Sequence, residues 1–224
     1  MRQKRRPAEG DVRRRHENGR MLKLYGQYRS RAFRVAWLCK ESNIPYEHSD
    51  VTINVDSANC KESWYIKLNP NGRVPTIDDN GFVMWESAAI NLYLAEKYNS
   101  PLWPADVTAK GWMLQWTFFA TNDIEPPMIA IRMNRLLPRD KRDAKAADEA
   151  ERTLLPKLKI VDNYLSTNRF FGVDRWDMAD FMVASICYTF FVMKYDLSTV
   201  PNFEKWLIAS LDRPKAREAR ALRE

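Results

Sequence analysis

The stretch LNPNGRVPTI at residues 68–77, followed by WESAAI at residues 85–90, is the most informative part of this chain. It places Pro75 between a turn and a strand, and a hairpin then leads to Glu86 and Ser87, where a helix begins. A proline at a strand edge leaves neighbouring backbone groups open to pairing, and a helix start favours a carboxylate. The two features together predict a site that holds a peptide-like ligand by its backbone and by a carboxylate.

The residues before this stretch predict a parallel strand–helix–strand unit. Leu22–Tyr25 alternates apolar and polar residues as a short strand does. Apolar residues then recur at helical spacing over residues 32–39, after Ser30 as the predicted N-cap. The basic residues predicted for the opposite, solvent-facing side of this helix are Arg31, Arg34 and Lys40. Residues 44–47 end the helix and open a second strand, and this order favours a right-handed parallel crossover.

The residues around the opening motif complete a first domain. A short helix is predicted around residues 61–68, and two strands are predicted at residues 76–78 and 82–85. Asn80 and Gly81 between apolar runs are a strong hairpin signal. A further helix is predicted over residues 87–98. The order is βαβ-α-ββα, with a mixed four-stranded sheet.

Beyond this domain the strand signals stop. Residues 99–107 contain two prolines and predict a linker. The predicted helices that follow cover residues 108–135, 140–167, 178–193, 203–210 and 214–222. The sequence Glu125-Pro126-Pro127 is predicted to kink or break the first of them. Asp177 and Asp180 predict an N-terminal capping box for the third.

Four segments are therefore predicted: a leader, a first domain, a linker and a helical domain. They cover residues 1–20, 21–98, 99–107 and 108–224.

The formal net charge of +7 is concentrated in residues 1–20, which hold eight Lys/Arg against three Asp/Glu and leave +2 for the other residues. This leader is predicted to be disordered, and Met21 is predicted to be the natural start. A basic tail can also bind nucleic acid, but a charge of +2 on the remaining residues makes that interpretation weak.

The composition also limits where the protein works. The longest uncharged apolar run, residues 181–193, is too short to cross a bilayer. The three cysteines form no C-x-x-C pair and no even disulfide framework, which favours a reducing cytoplasm. The two histidines are isolated and indicate neither a metal site nor a general base.

A βαβ-α-ββα domain joined to an all-helical domain resembles the cytosolic glutathione S-transferases, of bacterial type with a serine in the first-helix motif. The motifs that carry the resemblance, in family order, are SRAFRV at residues 30–35, NPNGRVP at 69–75, ESAAI at 86–90 and DMAD at 177–180. The resemblance covers residues 21 to about 217. It implies an α/β plus all-α fold: a thioredoxin-like N-terminal domain and an all-helical C-terminal domain.

The resemblance also assigns a glutathione-binding set. Pro75 is expected to be a cis-proline that exposes the N–H and C=O of Val74 to the cysteinyl unit of glutathione. Ser87 is expected to hold the γ-glutamyl carboxylate at the helix start, and Glu86 to accept from the ligand's ammonium group. Arg73 is expected beside the glycyl carboxylate. An ordinary edge proline, a plain N-cap serine and a solvated arginine are the structural alternatives.

Activation of the glutathione thiol is assigned to the start of the first helix. The hydroxyl of Ser30 can donate a hydrogen bond to the thiolate and lower the thiol pKa, with Arg31 adding positive potential. The alternatives are that Ser30 only caps the helix and that Arg31 is only solvated. Tyr28 is the second candidate hydroxyl, because Tyr25 is predicted to be part of a strand. Cys39 is predicted to be inert core, which argues against thiol–disulfide exchange.

The electrophile pocket is assigned to the helix after the linker. Trp116, Phe119 and Asn122 follow one helix face and are the predicted wall of a hydrophobic substrate pocket. The same face can instead belong to the core or to a dimer interface.

The resemblance implies a cytoplasmic, homodimeric detoxification enzyme that transfers an alkyl or aryl group to glutathione. Glutathione is the co-substrate, a small hydrophobic electrophile is the second substrate, and no metal or membrane partner is implied. The alternatives are a non-catalytic binding module of the same fold and a glutathione-dependent peroxidase or lyase.

Overall fold

The computed structural model of the protein describes residues 21–51, 53 and 60–223. The predicted leader, residues 1–20, lies outside the described residues, and the predicted domain limits stay predictions. The strands are β1 Leu22–Tyr25, β2 Tyr46–Ser49, β3 Thr76–Asp79 and β4 Phe82–Trp85. The α-helices that accompany the sheet are α1 Ala32–Ser42, α2 Ser63–Leu68 and α3 Ser87–Lys97. The α-helices that follow are α4 Val107–Phe119, α5 Glu125–Leu136, α6 Ala144–Thr167, α7 Met178–Val192, α8 Pro201–Leu211 and α9 Pro214–Ala221.

The sheet has the predicted mixed topology. Its strand order is β2-β1-β3-β4, with β1 parallel to β2 and antiparallel to β3, and with β3 antiparallel to β4. The β3–β4 turn has positive φ at Asn80 (58°) and Gly81 (93°), as a two-residue hairpin turn requires. The predicted hairpin and parallel crossover are therefore confirmed.

One continuous core joins the sheet to the helices that follow it. Trp37 of α1 packs edge-on against Phe181 of α7 with ring centroids 5.3 Å apart, and both side chains are fully buried. Phe33, one turn earlier, lies 4.6 Å from the ring of Tyr188. Cys39 is buried as predicted, and burial raises the pKa of its thiol to about 12. The face of α1 that begins with Phe33 therefore contributes to the junction between the two parts of the chain.

Arg34 corrects the predicted solvent face of α1. It was expected on the exposed side with Arg31, but only 5% of Arg34 is exposed. Two hydrogen bonds to Glu125 of α5 satisfy its guanidinium inside the protein. A buried arginine is tolerated when its charge is paired in this way.

The helix predicted over residues 108–135 is interrupted. Helix α4 ends at Phe119, a π-helical segment covers Ala120–Ile124, and α5 begins at Glu125. Pro126 and Pro127 lie in the first turn of α5, where proline is tolerated. The predicted irregularity is therefore present as a π-helical segment, but the helical backbone continues through it, with the Glu125 N–H donating to the Ala120 carbonyl.

Helix α7 begins with the predicted capping box. The Asp177 carboxylate accepts from the Ala179 N–H at 2.8 Å, and Asp180 accepts from the N–H of Asp177. Asp180 also accepts from the backbone N–H of Phe171 and from the Trp206 indole. Burial raises the pKa of Asp180 to about 6, against the lowering effect of these hydrogen bonds. None of the helices in the described part of the chain is both long and apolar enough to span a membrane.

Replacing Asp177 with alanine is expected to lower the free energy of unfolding by about 2 kcal/mol, because a buried cap leaves backbone donors unpaired. The apparent melting temperature should fall by about 4–8 °C in a thermal scan. The matched control is Asp106→Ala, which removes the exposed cap of α4 and should cost about 0.5–1 kcal/mol. Equal losses for the two variants would contradict the assignment of extra stability to the buried cap.

Candidate functional site

A polar cavity of about 260 Å³ lies where α1, the cis-proline turn and the start of α3 meet. The structure brings together here all the predicted glutathione-binding residues, which are Arg73, Val74, Pro75, Glu86 and Ser87. Arg31, Arg34 and Glu125 also line the cavity, and Asn122 lies on its wall. The predicted residues are therefore neighbours in space, although they come from two separate motifs.

The Val74–Pro75 peptide bond is cis, as the resemblance implied. Just before it, the Arg73 carbonyl accepts hydrogen bonds from the Tyr65 hydroxyl and from Asn69 Nδ2, each at 2.7 Å. No hydrogen bond from the rest of the described chain engages the backbone of Val74. The turn is thus fixed on its inner side, and Val74 lines the cavity.

Glu86 and Ser87 form a strained start to helix α3. Glu86 has φ 76° and ψ 106°, a conformation that L-residues rarely adopt and that concentrates at functional sites. Ser87 is the first residue of the helix, and only 5% of it is exposed. Its hydroxyl accepts from Arg34 Nη1 at 3.4 Å. The first-turn N–H groups of α3 therefore lie beside a guanidinium, and the two together favour a carboxylate.

A buried ion-pair cluster lies beneath this helix start. Arg34 donates from both terminal nitrogens to the Glu125 carboxylate at 2.8 and 3.2 Å, and Arg31 Nε donates to Glu125 Oε1 at 2.6 Å. Burial alone would raise the pKa of Glu125, but the two guanidinium groups outweigh it and hold that pKa below its usual value. Glu125 is therefore ionised at neutral pH and leaves part of the positive charge uncompensated.

The role of Arg34 and Glu125 was missed in the sequence analysis. A basic residue within the apolar run of α1 and an acid directly before two prolines were the available signals. Neither signal identifies its partner, because the two residues are 91 positions apart.

A second cleft of about 440 Å³ continues from the polar cavity and shares Arg31, Arg34, Arg73, Val74 and Glu125 with it. Its apolar wall comes mainly from α1, α5 and α7 and consists of Phe33, Ile129, Met133, Tyr188 and Val192. Ser30 lies at its edge. The Ser30 hydroxyl donates to the Gln27 carbonyl at 2.6 Å and accepts from the Ala32 N–H at 3.1 Å. The N-cap of α1 is Arg31, one residue later than predicted, so Ser30 bonds to the helix start from the position before the cap.

Three predicted site residues lie elsewhere. The Tyr28 hydroxyl is 3.0 Å from that of Tyr46, the Tyr28 ring stacks on His48, and burial raises its pKa. Tyr28 lines neither cavity. Trp116 is 5% exposed and packs against Phe171 in the core, and Phe119 packs edge-on against Trp116. Trp116 is thus part of the core, Phe119 is partly buried against it, and neither residue lines the two cavities.

Two family models match the chain. The glutathione S-transferase N-terminal domain matches residues 20–96, and the glutathione S-transferase C-terminal domain matches residues 124–214. The chain therefore belongs to the glutathione S-transferase family.

The chain is similar to several curated members of this family, over aligned stretches of different length. Glutathione S-transferase hmp2 of Hypomyces subiculosus is 50% identical over 80 residues, which cover 36% of each chain. Glutathione S-transferase D7 of Drosophila melanogaster is 29% identical over 146 residues, 64% of this chain and 63% of the relative. GstB of Escherichia coli is 26% identical over 207 residues, 88% of this chain and 97% of GstB. The matches thus span less than two thirds of the first two relatives.

Solved structures agree with the fold. Poplar glutathione transferase F1 has a TM-score of 0.81 at 22% identity, covering 91% of this chain and 98% of its own. The theta class glutathione S-transferase of Xanthomonas axonopodis pv. citri, solved with glutathione bound, has a TM-score of 0.80 at 24% identity, covering 88% and 96%. At these identities the likeness concerns the fold.

Proposed function

We propose that this protein is a glutathione transferase: it binds glutathione in the polar cavity and directs the thiol to an electrophile in the adjoining cleft. The observation that carries the proposal is the continuity of the two cavities through Val74 and Arg31, with Ser30 at the edge of the second. One cavity is suited to a charged peptide and the other offers an apolar wall. The junction is where a thiol held by Val74 would lie.

Binding follows from the groups that line the polar cavity. The γ-glutamyl carboxylate lies at the first turn of α3, where the Ser87 hydroxyl and the N–H groups donate hydrogen bonds to it. The ammonium group lies against Glu86. Val74 pairs with the cysteinyl backbone in the manner of a strand edge. Arg73 stands beside the glycyl carboxylate. This arrangement fixes both ends of the tripeptide and leaves the thiol pointing into the cleft.

The reaction uses the thiolate as nucleophile. An unperturbed thiol has a pKa near ~8.5, so that most glutathione is protonated at neutral pH. A hydrogen bond from the Ser30 hydroxyl, with the positive potential of Arg31 nearby, stabilises the thiolate. The thiol proton passes to solvent, the sulfur forms a bond to the electrophilic carbon, and in a substitution the leaving group departs with its bonding electrons.

A second candidate is a glutathione-binding module that does not activate the thiol. The hydrogen bond from Ser30 to the Gln27 carbonyl favours it, because the one hydroxyl hydrogen of Ser30 is then engaged elsewhere. Turnover of 1-chloro-2,4-dinitrobenzene with glutathione separates the two candidates. Retention on immobilised glutathione without turnover would establish the second.

Replacing Ser87 with alanine is expected to raise the KM for glutathione about tenfold, with a smaller change in kcat. The reason is that a charge-assisted hydrogen bond to the ligand's carboxylate contributes about 1.5–3 kcal/mol. The matched control is Ser63→Ala, which changes the exposed first residue of α2 and should leave KM unchanged. An unaltered glutathione KM in the Ser87 variant would remove Ser87 from the binding site.

The predicted homodimer and the cytoplasmic location also stay proposals. Sedimentation equilibrium of the purified chain measures the first, with about 52.6 kDa expected for two copies of the 26.3 kDa chain.

A further inference from the structure

The cleft beside Ser30 is unusually rich in arginine. Six arginines line it, and one carboxylate, Glu125, lies among them. The six are Arg29, Arg31, Arg34, Arg73, Arg132 and Arg223. Glu125 pairs with Arg31 and Arg34. The charge of the remaining arginines is not balanced by this pairing.

Arg29, Arg132 and Arg223 form a group without carboxylate partners in the described part of the chain, where none of them makes an ion pair. Arg223 is held in place, because its Nη1 donates to the Tyr28 carbonyl at 2.7 Å and its guanidinium lies 5.0 Å from the Phe33 ring centroid. Arg29 Nε donates to the Arg223 carbonyl at 3.2 Å.

Arg223 lies within electrostatic reach of both Arg132 and Arg29. Burial lowers the pKa of Arg223, and the like charges of Arg132 and Arg29 lower it further. Like charges held together without a counter-charge are unfavourable, and such arrangements concentrate where an anion binds. Arginine is also the residue that best matches a carboxylate, through two parallel hydrogen bonds.

The position of the group makes it part of the second substrate's surroundings. Arg29, Arg132 and Arg223 line the cleft and also a neighbouring cavity of about 660 Å³. The walls of that cavity are mainly apolar, with Phe190, Leu207, Ile208 and Leu211 among them. One carboxylate, Glu204, lines it beside Lys194. The arginines therefore stand at the boundary between the thiol's cleft and an apolar groove.

We infer that the electrophile of this protein is an amphipathic anion: an apolar body that carries a carboxylate or a sulfonate, with the anionic group bound by Arg29, Arg132 and Arg223. The inference rests on the proposed function and specifies its second substrate. The apolar body lies along the cleft wall formed by Ile129 and Met133, and the reactive carbon faces Ser30. A second glutathione molecule is another source of carboxylates, and the experiment below separates it from an electrophile.

The test compares two electrophiles of the same shape, 4-chloro-3,5-dinitrobenzoate and the neutral 4-chloro-3,5-dinitrobenzamide. For each electrophile, kcat/KM is divided by the rate constant of its uncatalysed reaction with glutathione. The measured ratio is this normalised kcat/KM for the anionic electrophile divided by that for the neutral one. Arg132→Gln is expected to lower this ratio about tenfold, because one charge-assisted hydrogen bond is lost. Added salt should lower the wild-type ratio as well.

Two further variants control the result. Arg132→Lys keeps the charge and should retain more of the ratio than Arg132→Gln. Arg217→Gln removes an exposed arginine of α9 outside both cavities and should leave the ratio unchanged. Should Arg132→Gln fail to fold, Arg29→Gln at an exposed position provides the same test. A ratio that none of the cleft variants changes overturns the inference.

Binding of the unreactive 3,5-dinitrobenzoate, measured by calorimetry, separates this inference from the proposed function. If 3,5-dinitrobenzoate binds more weakly to Arg132→Gln and the wild-type protein turns over neither electrophile, the anion site is supported and the transferase function is rejected. If the wild-type protein turns over both electrophiles and the ratio is unaltered in the cleft variants, the transferase function is supported and the anion site is rejected. A second glutathione bound per chain, competing with 3,5-dinitrobenzoate and lost in Arg132→Gln, would overturn the assignment of the arginines to the electrophile.

Discussion

Replacing Ser30 with alanine is expected to lower kcat/KM for 1-chloro-2,4-dinitrobenzene by about 10²-fold, the effect of removing one preorganised donor to a developing or full negative charge. In the proposed mechanism, the hydroxyl that donates to Gln27 at 2.6 Å turns toward the thiolate when glutathione binds. Alanine removes that donor, so that the sulfur is held in place but is protonated more of the time. Steady-state kinetics at saturating glutathione measure the loss.

The pH profile should change with the rate. Stabilisation of the thiolate lowers the pKa of the bound thiol, so that the wild-type rate reaches its plateau below the ~8.5 of an unperturbed thiol. In the Ser30→Ala variant the plateau should move to higher pH. The ultraviolet absorbance of the bound thiolate, titrated without electrophile, reports the shift in the thiol pKa independently of turnover.

Two variants test whether the rate depends on the hydroxyl of Ser30, which also accepts from the Ala32 N–H, or on that of Tyr28. Ser30→Thr keeps a hydroxyl and should recover most of the rate. Tyr28→Phe should change the rate by less than about twofold, because the Tyr28 hydroxyl faces Tyr46 and lines neither cavity. A large loss in Tyr28→Phe with a mild one in Ser30→Ala would reverse the assignment.

Replacing Glu125 with alanine is expected to lower the free energy of unfolding by about 3–5 kcal/mol, because Arg34 would stay buried without its counter-charge. The apparent melting temperature should fall by about 10 °C. The exposed pair of Glu149 and Arg152, with side chains 68% and 70% exposed, is the matched control. Glu149→Ala should cost less than about 1 kcal/mol, and a similar cost for Glu125→Ala would contradict the role of the buried cluster.

The pH dependence of this effect follows from the lowered pKa of Glu125. A carboxyl whose pKa is lower in the folded state contributes stability above its unfolded pKa and loses it as pH falls through the folded value. The stability difference between wild type and Glu125→Gln should therefore be constant near neutral pH and shrink on acidification below the ordinary value of 4.5. Chemical unfolding at a series of pH values measures it, and a difference that grows on acidification would contradict the pairing.

The parts of this molecule that depend on local sequence could be predicted from it. The hairpin follows from Asn80-Gly81, the start of α7 follows from the Asp177 box, and the irregular helix before Pro126 follows from the chemistry of proline. The grouping of the proposed glutathione-binding residues in one cavity was also predictable, because their two motifs are short and each keeps its groups within a few residues.

The cleft could not be predicted in the same way, because its groups come from distant positions. The Arg34–Glu125 pair joins residues 91 apart, and Arg223 bonds to the carbonyl of Tyr28, 195 positions away. The helical spacing of Trp116 and Phe119 was correct, yet Trp116 lies in the core, where it packs against the distant residues Tyr164 and Phe171. Periodicity identifies an inward face but not what that face meets.

In the proposed function, the first turn of α5 couples the binding of glutathione to the binding of the electrophile. Glu125 contacts Arg34, which touches Ser87 in the glutathione cavity, while Ile129 and Arg132 one and two turns later line the cleft for the second substrate. In the proposed function, glutathione bound beside Arg34 and an electrophile bound beside Ile129 therefore both act on the position of α5. Linkage is reciprocal: whatever factor glutathione applies to the affinity of the electrophile, the electrophile applies to the affinity of glutathione.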